Sequence, residues 1–164
     1  SIERHLPDVI HLRISERRPM ALWQRDGRFR LIDTAGKVVP ISDIGRFGNL
    51  ITVIGPDAPR YASGLLDTLA LVPELSRRVS AAVRIGARRW DLHLSNHLAI
   101  QLPEFDPETA LRRLAELQQS DAILDRDYAA IDLRLTGRVV LRPAPAEAPE
   151  SAAENAAPAT GRDT

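Results

Sequence analysis

The chain contains no cysteine, so neither a disulfide framework nor a thiolate metal site can form, and redox chemistry leaves its compartment open. It also has almost no lysine: Lys37 is the only one among 22 basic residues, and the rest are arginine. Arginine suits bidentate pairing with carboxylates at protein interfaces, although a codon bias would produce the same excess without functional meaning. Net charge is missing too, because 22 acidic side chains balance the 22 basic ones. Long-range attraction to DNA, RNA or an anionic bilayer is therefore not written into the sequence. Aromatic residues make up only 4% of it, which makes a tryptophan such as Trp90 a costly choice. No apolar run approaches the roughly 20 residues that span a bilayer, and no basic-apolar-small signal opens the chain, so the chain alone is expected to be soluble.

What is present is enough for one modest domain with a core. Residues 9–14 alternate as a strand, with Leu6-Pro7-Asp8 leading in and Pro19 beyond its end. Residues 21–24, 28–33 and 37–39 read as short strands separated by Asp26-Gly27 and Ala35-Gly36, a small antiparallel sheet. Residues 50–54 form an apolar run consistent with a buried strand, stopped by Gly55-Pro56-Asp57, with Asp57 expected to cap the following helix. Between Tyr61 and Arg78, Ala62, Leu65, Leu66, Leu69 and Val72 recur at helical spacing, with a break expected at Pro73. An antiparallel meander follows over 79–85, 90–94 and 98–102, its last turn being Ser95-Asn96-His97. Asp106 caps a second expected helix over 108–119, with Ala110, Leu111, Leu114 and Leu117 on one side. Residues 130–135 and 138–142 around Thr136-Gly137 read as a terminal hairpin, and 143–164 as a disordered Pro/Ala/Glu-rich tail.

Reactive constellations are absent from this pattern. His93 and His97 are four apart, a ligand spacing on a helix, but here one falls on the polar side of a strand and the other in its turn. Asp125, Asp127 and Asp132 lack a glycine-bearing calcium loop and read as loop and surface charges. Gly45-Arg46-Phe47-Gly48-Asn49 lacks the lysine and helix onset of a phosphate loop and reads as a flexible connection between two domains. Ser63-Gly64 lies inside a helical pattern and not at a strand-to-helix elbow. No enzyme activity, cofactor or metal is expected.

Two features point to binding. Arg88 and Arg89 precede the strand from Trp90, where paired guanidinium groups either grip an acidic partner helix or form a solvated rim. The terminal strand, if it is the last of its sheet, leaves backbone donors and acceptors unpaired on one side. In the simplest two-residue hairpin Leu133 faces Val140, which leaves Val139 and Leu141 beside Asp132 and Arg134 on the opposite face. Either a bulge returns these apolar side chains to the core or a partner covers them after adding its own strand.

At this point a resemblance becomes specific. Leu6-Pro7-Asp8, residues 16–23 and 31–36, 50–57, Ala87-Arg88-Arg89-Trp90-Asp91-Leu92-His93-Leu94-Ser95-Asn96 and Ile131-Asp132-Leu133-Arg134 together resemble, in order, the periplasmic part of the FtsQ/DivIB cell-division family. The resemblance implies an α+β fold: the C-terminal part of a POTRA module over 1–42, then a mixed/antiparallel β-sheet domain packed with two helices over 43–142. The tail 143–164 would follow its terminal edge strand. It further implies a non-enzymatic divisome scaffold, the periplasmic domain of a single-pass inner-membrane protein at the division septum. Its expected partners are FtsB and FtsL, with no nucleic acid, and with the membrane met only through a helix absent from this chain. Carried over by position, partner strand addition points to Leu135, Arg138, Val139, Val140 and Leu141, the acidic contact to Arg88 or Arg89, and a contacting acidic residue near the domain junction to Glu16. The competing expectation is a POTRA-bearing polypeptide-binding module of an outer-membrane assembly or secretion system.

Overall fold

A computed structural model describes the backbone of residues 2–5 and 9–12, and residues 18–40 and 43–145 in full. Strands β1 (Ile2–His5) and β2 (Val9–Leu12) pair as a separate antiparallel hairpin. The rest of the described chain runs β3 (Pro19–Arg25), β4 (Arg28–Asp33), β5 (Val38–Val39), β6 (Thr52–Ile54), α1 (Ala58–Ala70), α2 (Pro73–Ser76), β7 (Val79–Ile85), β8 (Arg89–Leu94), β9 (Ala99–Gln101), α3 (Pro107–Asp121), β10 (Tyr128–Asp132) and β11 (Val140–Pro143). Among the described residues, β3 to β11 form one nine-stranded sheet in the order β11-β10-β9-β8-β7-β6-β3-β4-β5. The pairs β3/β6, β6/β7 and β9/β10 are parallel and the others antiparallel, so the fold is α+β with a mixed sheet. The change of module expected after residue 42 is not a break in this sheet, since β3 pairs directly with β6.

Alternation along each strand sends one row of side chains to the helix-covered face. Trp23, Val53, Ala82, Leu92, Ile100 and Ile131 follow one another across six strands in register, and all are buried. Ala58, Ala62, Leu65 and Leu69 of α1 and Leu111 and Leu114 of α3 close over them, the stripes that helical spacing predicts. Burying a leucine of this kind contributes about 1.5–3 kcal/mol. Helix α1 stops at Ala70, and Val72, which precedes Pro73, takes the extended side of the map at φ −129° and ψ 75°. The steric demand of the proline on the residue before it explains the break.

Four sequence expectations need correction. The segment around 45–49 is not a loose connection: a 3-10 turn at Ile44–Phe47 packs Ile44 and Phe47, with Leu50, over Leu22, Leu31 and Val39 on the other face of the sheet. Asp57 stands at the first position before α1 without capping it, because its carboxylate is turned to Arg84, with Nε–Oδ2 at 3.5 Å. Asp106, by contrast, does cap α3, accepting from the Thr109 N–H at 3.2 Å. The terminal strands are shorter than the pattern suggests. Leu133 N–H donates to the Gln101 carbonyl at 2.9 Å, so the chain keeps following β9 instead of turning into β11. Residues 133–139 form a loop, in which Arg138 N–H closes a turn on the Leu135 carbonyl at 3.1 Å.

The register differs accordingly. Asp132 faces Val140 and Ile131 faces Leu141, with a bulge between Tyr128 and Ala130. A one-residue shift exchanges the two faces. Leu141 therefore lies on the helix side beside Ile131, Val140 on the open face beside Asp132, and Val139 packs partly against the core. The tail from residue 146 onward and Glu16 lie outside the described residues.

Candidate partner-binding edge and rim

Strand β11 ends the sheet, and all four of its residues are exposed. Which of its backbone groups are free follows from neighbouring hydrogen bonds. Ala144 N–H donates to the Asp127 carbonyl at 3.3 Å, so residue 144 points into the sheet. Antiparallel alternation then sends the N–H groups of Arg142 and Val140 inward to β10 and the polar groups of Leu141 and Val139 outward. Leu133, donating to β9, fits the same alternation, because it leaves Asp132 turned to β11. Pro143, which has no N–H, falls at an outward position where none is needed by the sheet.

Strands β3, β6, β7, β9 and β10 all run in one direction. Their C-terminal ends therefore share a rim, which also carries the β3–β4 turn, the start of α1, the β7–β8 turn, the segment 102–106 and the loop 133–139. Arg88, Arg89, Leu135 and Arg138 consequently lie on one edge of the molecule, although they are up to fifty residues apart in sequence. Two clefts open there and share Pro103. The larger, about 210 Å³, is lined by Tyr61, Thr68, Arg84, Arg88, Arg89, Trp90 and Glu104, among others. The smaller, about 120 Å³, is lined by Phe105, Ala110, Arg113, Leu133, Leu135, Arg138 and Val139, among others.

Arg88 is the exposed cation of the larger cleft, its Nε 3.7 Å from Glu104 Oε2. Arg89 is more covered and turned to Asp91 on the open face, with Nε–Oδ1 at 3.6 Å. Beneath them Arg84, which the sequence reading did not single out, is the residue that holds the turn. Its side chain is only 8% exposed and lies between the rings of Tyr61 (4.2 Å) and Trp90 (5.2 Å). It donates to the carbonyls of Ala87 at 2.9 Å and Arg88 at 3.3 Å. This is a structural clamp joining the start of α1 to the β7–β8 turn, and it aims Arg88 outward. The only sequence signal for it was an arginine in an apolar strand pattern.

On the β10 side, Arg134 grips Asp132 through both carboxylate oxygens, at 2.9 and 2.6 Å. That hydrogen-bonded guanidinium holds the Asp132 carboxyl below the ordinary carboxylate range, against a smaller opposing effect of burial. The pair braces the start of the loop that carries Leu135 and Arg138. Leu135 is 54% exposed and Phe105 80%, the latter the most exposed large apolar side chain among the described residues. An exposed phenylalanine beside an open strand edge has the composition of an interface anchor. Its signal in the sequence was an aromatic residue fixed between Pro103 and Pro107.

The other candidates disperse. His93 is exposed on the open face and His97 sits in the β8–β9 turn at φ 67°. Among the described residues no group of three or more His, Cys, Asp or Glu side chains is placed to hold a metal ion. Asp125 is held by Arg78 and Gln118, whose hydrogen bonds lower its pKa. Among the described residues no helix is long and apolar enough to cross a membrane.

The class that the fold defines is an α+β domain: a mixed sheet with helices on one face, an exposed strand at one end, and arginine and aromatic side chains along the rim of its strand ends. The family profile "Cell division protein FtsQ/DivIB, C-terminal" matches residues 21–134. The chain is 40% identical over 156 residues to cell division protein FtsQ of Caulobacter vibrioides, covering 95% of this chain and 52% of that protein. It is 40% identical over 142 residues to FtsQ of Rhizobium radiobacter, covering 86% and 67%, and 38% identical over 133 residues to FtsQ of Rickettsia prowazekii, covering 81% and 49%. A solved extracytoplasmic domain of DivIB from Geobacillus stearothermophilus aligns with TM-score 0.45 at 11% identity, covering 68% of this chain and 99% of that one. The chain belongs to the FtsQ/DivIB family of bacterial cell-division proteins. It spans about half the length of the Caulobacter and Rickettsia relatives.

Proposed function

We propose that this domain is a non-catalytic periplasmic scaffold of the divisome that accepts a strand from FtsB at the outer side of β11, as part of an assembly with FtsL that helps regulate septal peptidoglycan synthesis. The supporting observation is the outward backbone of Leu141 on a wholly exposed edge strand, continued by that of Val139 in the loop before it, which lines the smaller cleft. Leu135, Val140 and Phe105 supply apolar contact, and Arg138 and Arg88 receive acidic side chains of the incoming segment. In this reading residues 1–42 belong to the end of a POTRA module whose strands β3–β5 continue the sheet of residues 43–142. The domain is held at the septal inner membrane by a helix outside this chain, and Glu16 contacts the partner near the junction.

The register identifies the informative variant. Proline at Leu141 removes an outward donor and leaves the β10 ladder intact, whereas proline at Val140 removes an inward one. In a titration with the periplasmic segment of FtsB, Leu141→Pro is expected to lose binding while keeping its circular dichroism spectrum. Unchanged affinity in a folded Leu141→Pro protein would reject strand addition at this edge.

A further inference from the structure

The rim does not end at Arg88. Beyond it stand Arg60 and Tyr61 in the first turn of α1, and then the β3–β4 hairpin, whose six residues from Arg25 to Arg30 are all exposed. Asp26 and Gly27 have φ values of 51° and 72°, the two successive left-handed residues of a tight hairpin turn, so the tip is preorganised. A Cβ added at Gly27 would meet nothing within 4 Å, so the tip is convex and open. Arg25 lies directly opposite Arg28, a like-charge pair that weakens a hairpin. Only Arg25 has an acidic neighbour, Asp26, at 3.4 Å, and no ion pair engages Arg28 or Arg30 among the described residues. Phe29, opposite Gln24, alternates to the other face, with 46% of its surface exposed. Arg25, Arg28 and Arg30 alternate to the same face as Trp23, whose ring Arg25 and Arg30 overlie at 5.9 and 5.7 Å, so three like charges crowd one surface and carboxylates of a partner would offset their repulsion.

We infer that the β3–β4 tip is a second docking surface for an acidic amphipathic helix, one that continues along the rim from the site at Arg88. This rests on the strand-addition reading above. Four strand steps separate β8 from β4 in the sheet order, so the tip lies about 19 Å from the Arg88 end, or roughly thirteen residues of helix. A segment crossing the strand ends finds no ladder to pair with, so it must satisfy its own backbone, as a helix does. Its acidic side chains meet Arg28 and Arg30, and its apolar side meets Tyr61. A uniformly anionic plane such as a lipid surface fits less well, because Asp26, 86% exposed, stands at the very tip and would be pressed against it.

The test uses two lengths of the FtsB periplasmic segment, one limited to the strand and the adjoining turn, the other extended by about fifteen residues on the helical side. The longer segment is expected to bind the wild-type domain about three- to tenfold more tightly than the shorter one. That advantage should vanish in the Arg28→Glu/Arg30→Glu variant and at about 0.5 M salt, while the shorter segment binds both proteins equally. An advantage kept by the variant, or none in the wild type, overturns the second surface and leaves strand addition standing. Failure of the short segment to bind the wild-type domain overturns both. Co-sedimentation of the wild type, but not the variant, with phosphatidylglycerol vesicles would reassign the tip to a lipid surface and likewise overturn the proposal.

Discussion

At one end of the sheet, β5 offers two residues, Val38 and Val39, bracketed by Lys37 and Pro40, and Ile44 and Phe47 pack in the cluster that covers Val39. At the other, β11 offers four exposed residues, with Val140 and Leu141 ahead of Arg142 and Pro143, and one cleft at the loop that leads into it. Short length, lysine and proline are the usual means by which proteins close an edge against unwanted pairing. The same chain uses all three at β5, whereas β11 is twice as long and meets its proline only at its last residue, which leaves the Val140–Leu141 end the less protected of the two. That difference favours β11 over β5 as the edge a partner would complete in the function proposed above.

Variants that break this asymmetry should rank by how directly they touch the outer side of β11. The largest effect is expected from Leu141→Pro, with partner affinity falling about a hundredfold as the outward hydrogen bonds of the added strand are lost, measured by calorimetric titration. Replacing Arg84 by Ala acts one step back. It strands the half-covered Asp57 carboxylate, and should lower unfolding free energy by about 3 kcal/mol in urea titration. Binding at the Arg88 end of the rim should weaken with it.

A gain is expected from Glu104→Gln, because Glu104 already occupies Arg88 and a partner carboxylate must displace it. Freed of that competitor, Arg88 should bind its partner about two- to fivefold more tightly. The control on the closed edge is Val38→Pro, which should leave partner affinity unchanged.

Acid should loosen the loop next to the open edge. Arg134 holds the Asp132 carboxyl below its ordinary value of 3.8. A carboxyl depressed on folding stabilises the fold above the unfolded value, and that stabilisation is lost as pH falls below 3.8 through the depressed value. Thermal melts between pH 5 and about pH 2 should therefore decline less steeply for Asp132→Asn than for the wild type.

Much of this architecture was legible in the sequence because it is carried by local periodicity. The α1 stripe, the break at Pro73, the Asp106 cap, the β7–β8–β9 meander and the place of Trp90 on a buried face all follow from spacing within twenty residues. What escaped depends on partners distant in sequence. Nothing in Asp57 tells that a buried Arg84 will take its carboxylate away from the helix end. The Thr136-Gly137 signal was real, but β9 holds Leu133 and so delays the return strand and shifts its register by one. Gly45 to Asn49 looked like a linker because its anchors, Leu22, Leu31 and Val39, lie on strands read as another module. For the site, the sequence named Arg88, Arg89 and the terminal strand. The rim that unites them, with Phe105 and Tyr61, required the strand directions.

The most direct measurement is residue-resolved amide hydrogen exchange of the domain alone and with the FtsB segment. Val140 and Arg142, turned to β10, are expected to be protected in both states, and Val139 and Leu141 to exchange freely alone and become protected on binding. Binding that leaves Val139 and Leu141 as exposed as before would contradict strand addition at β11.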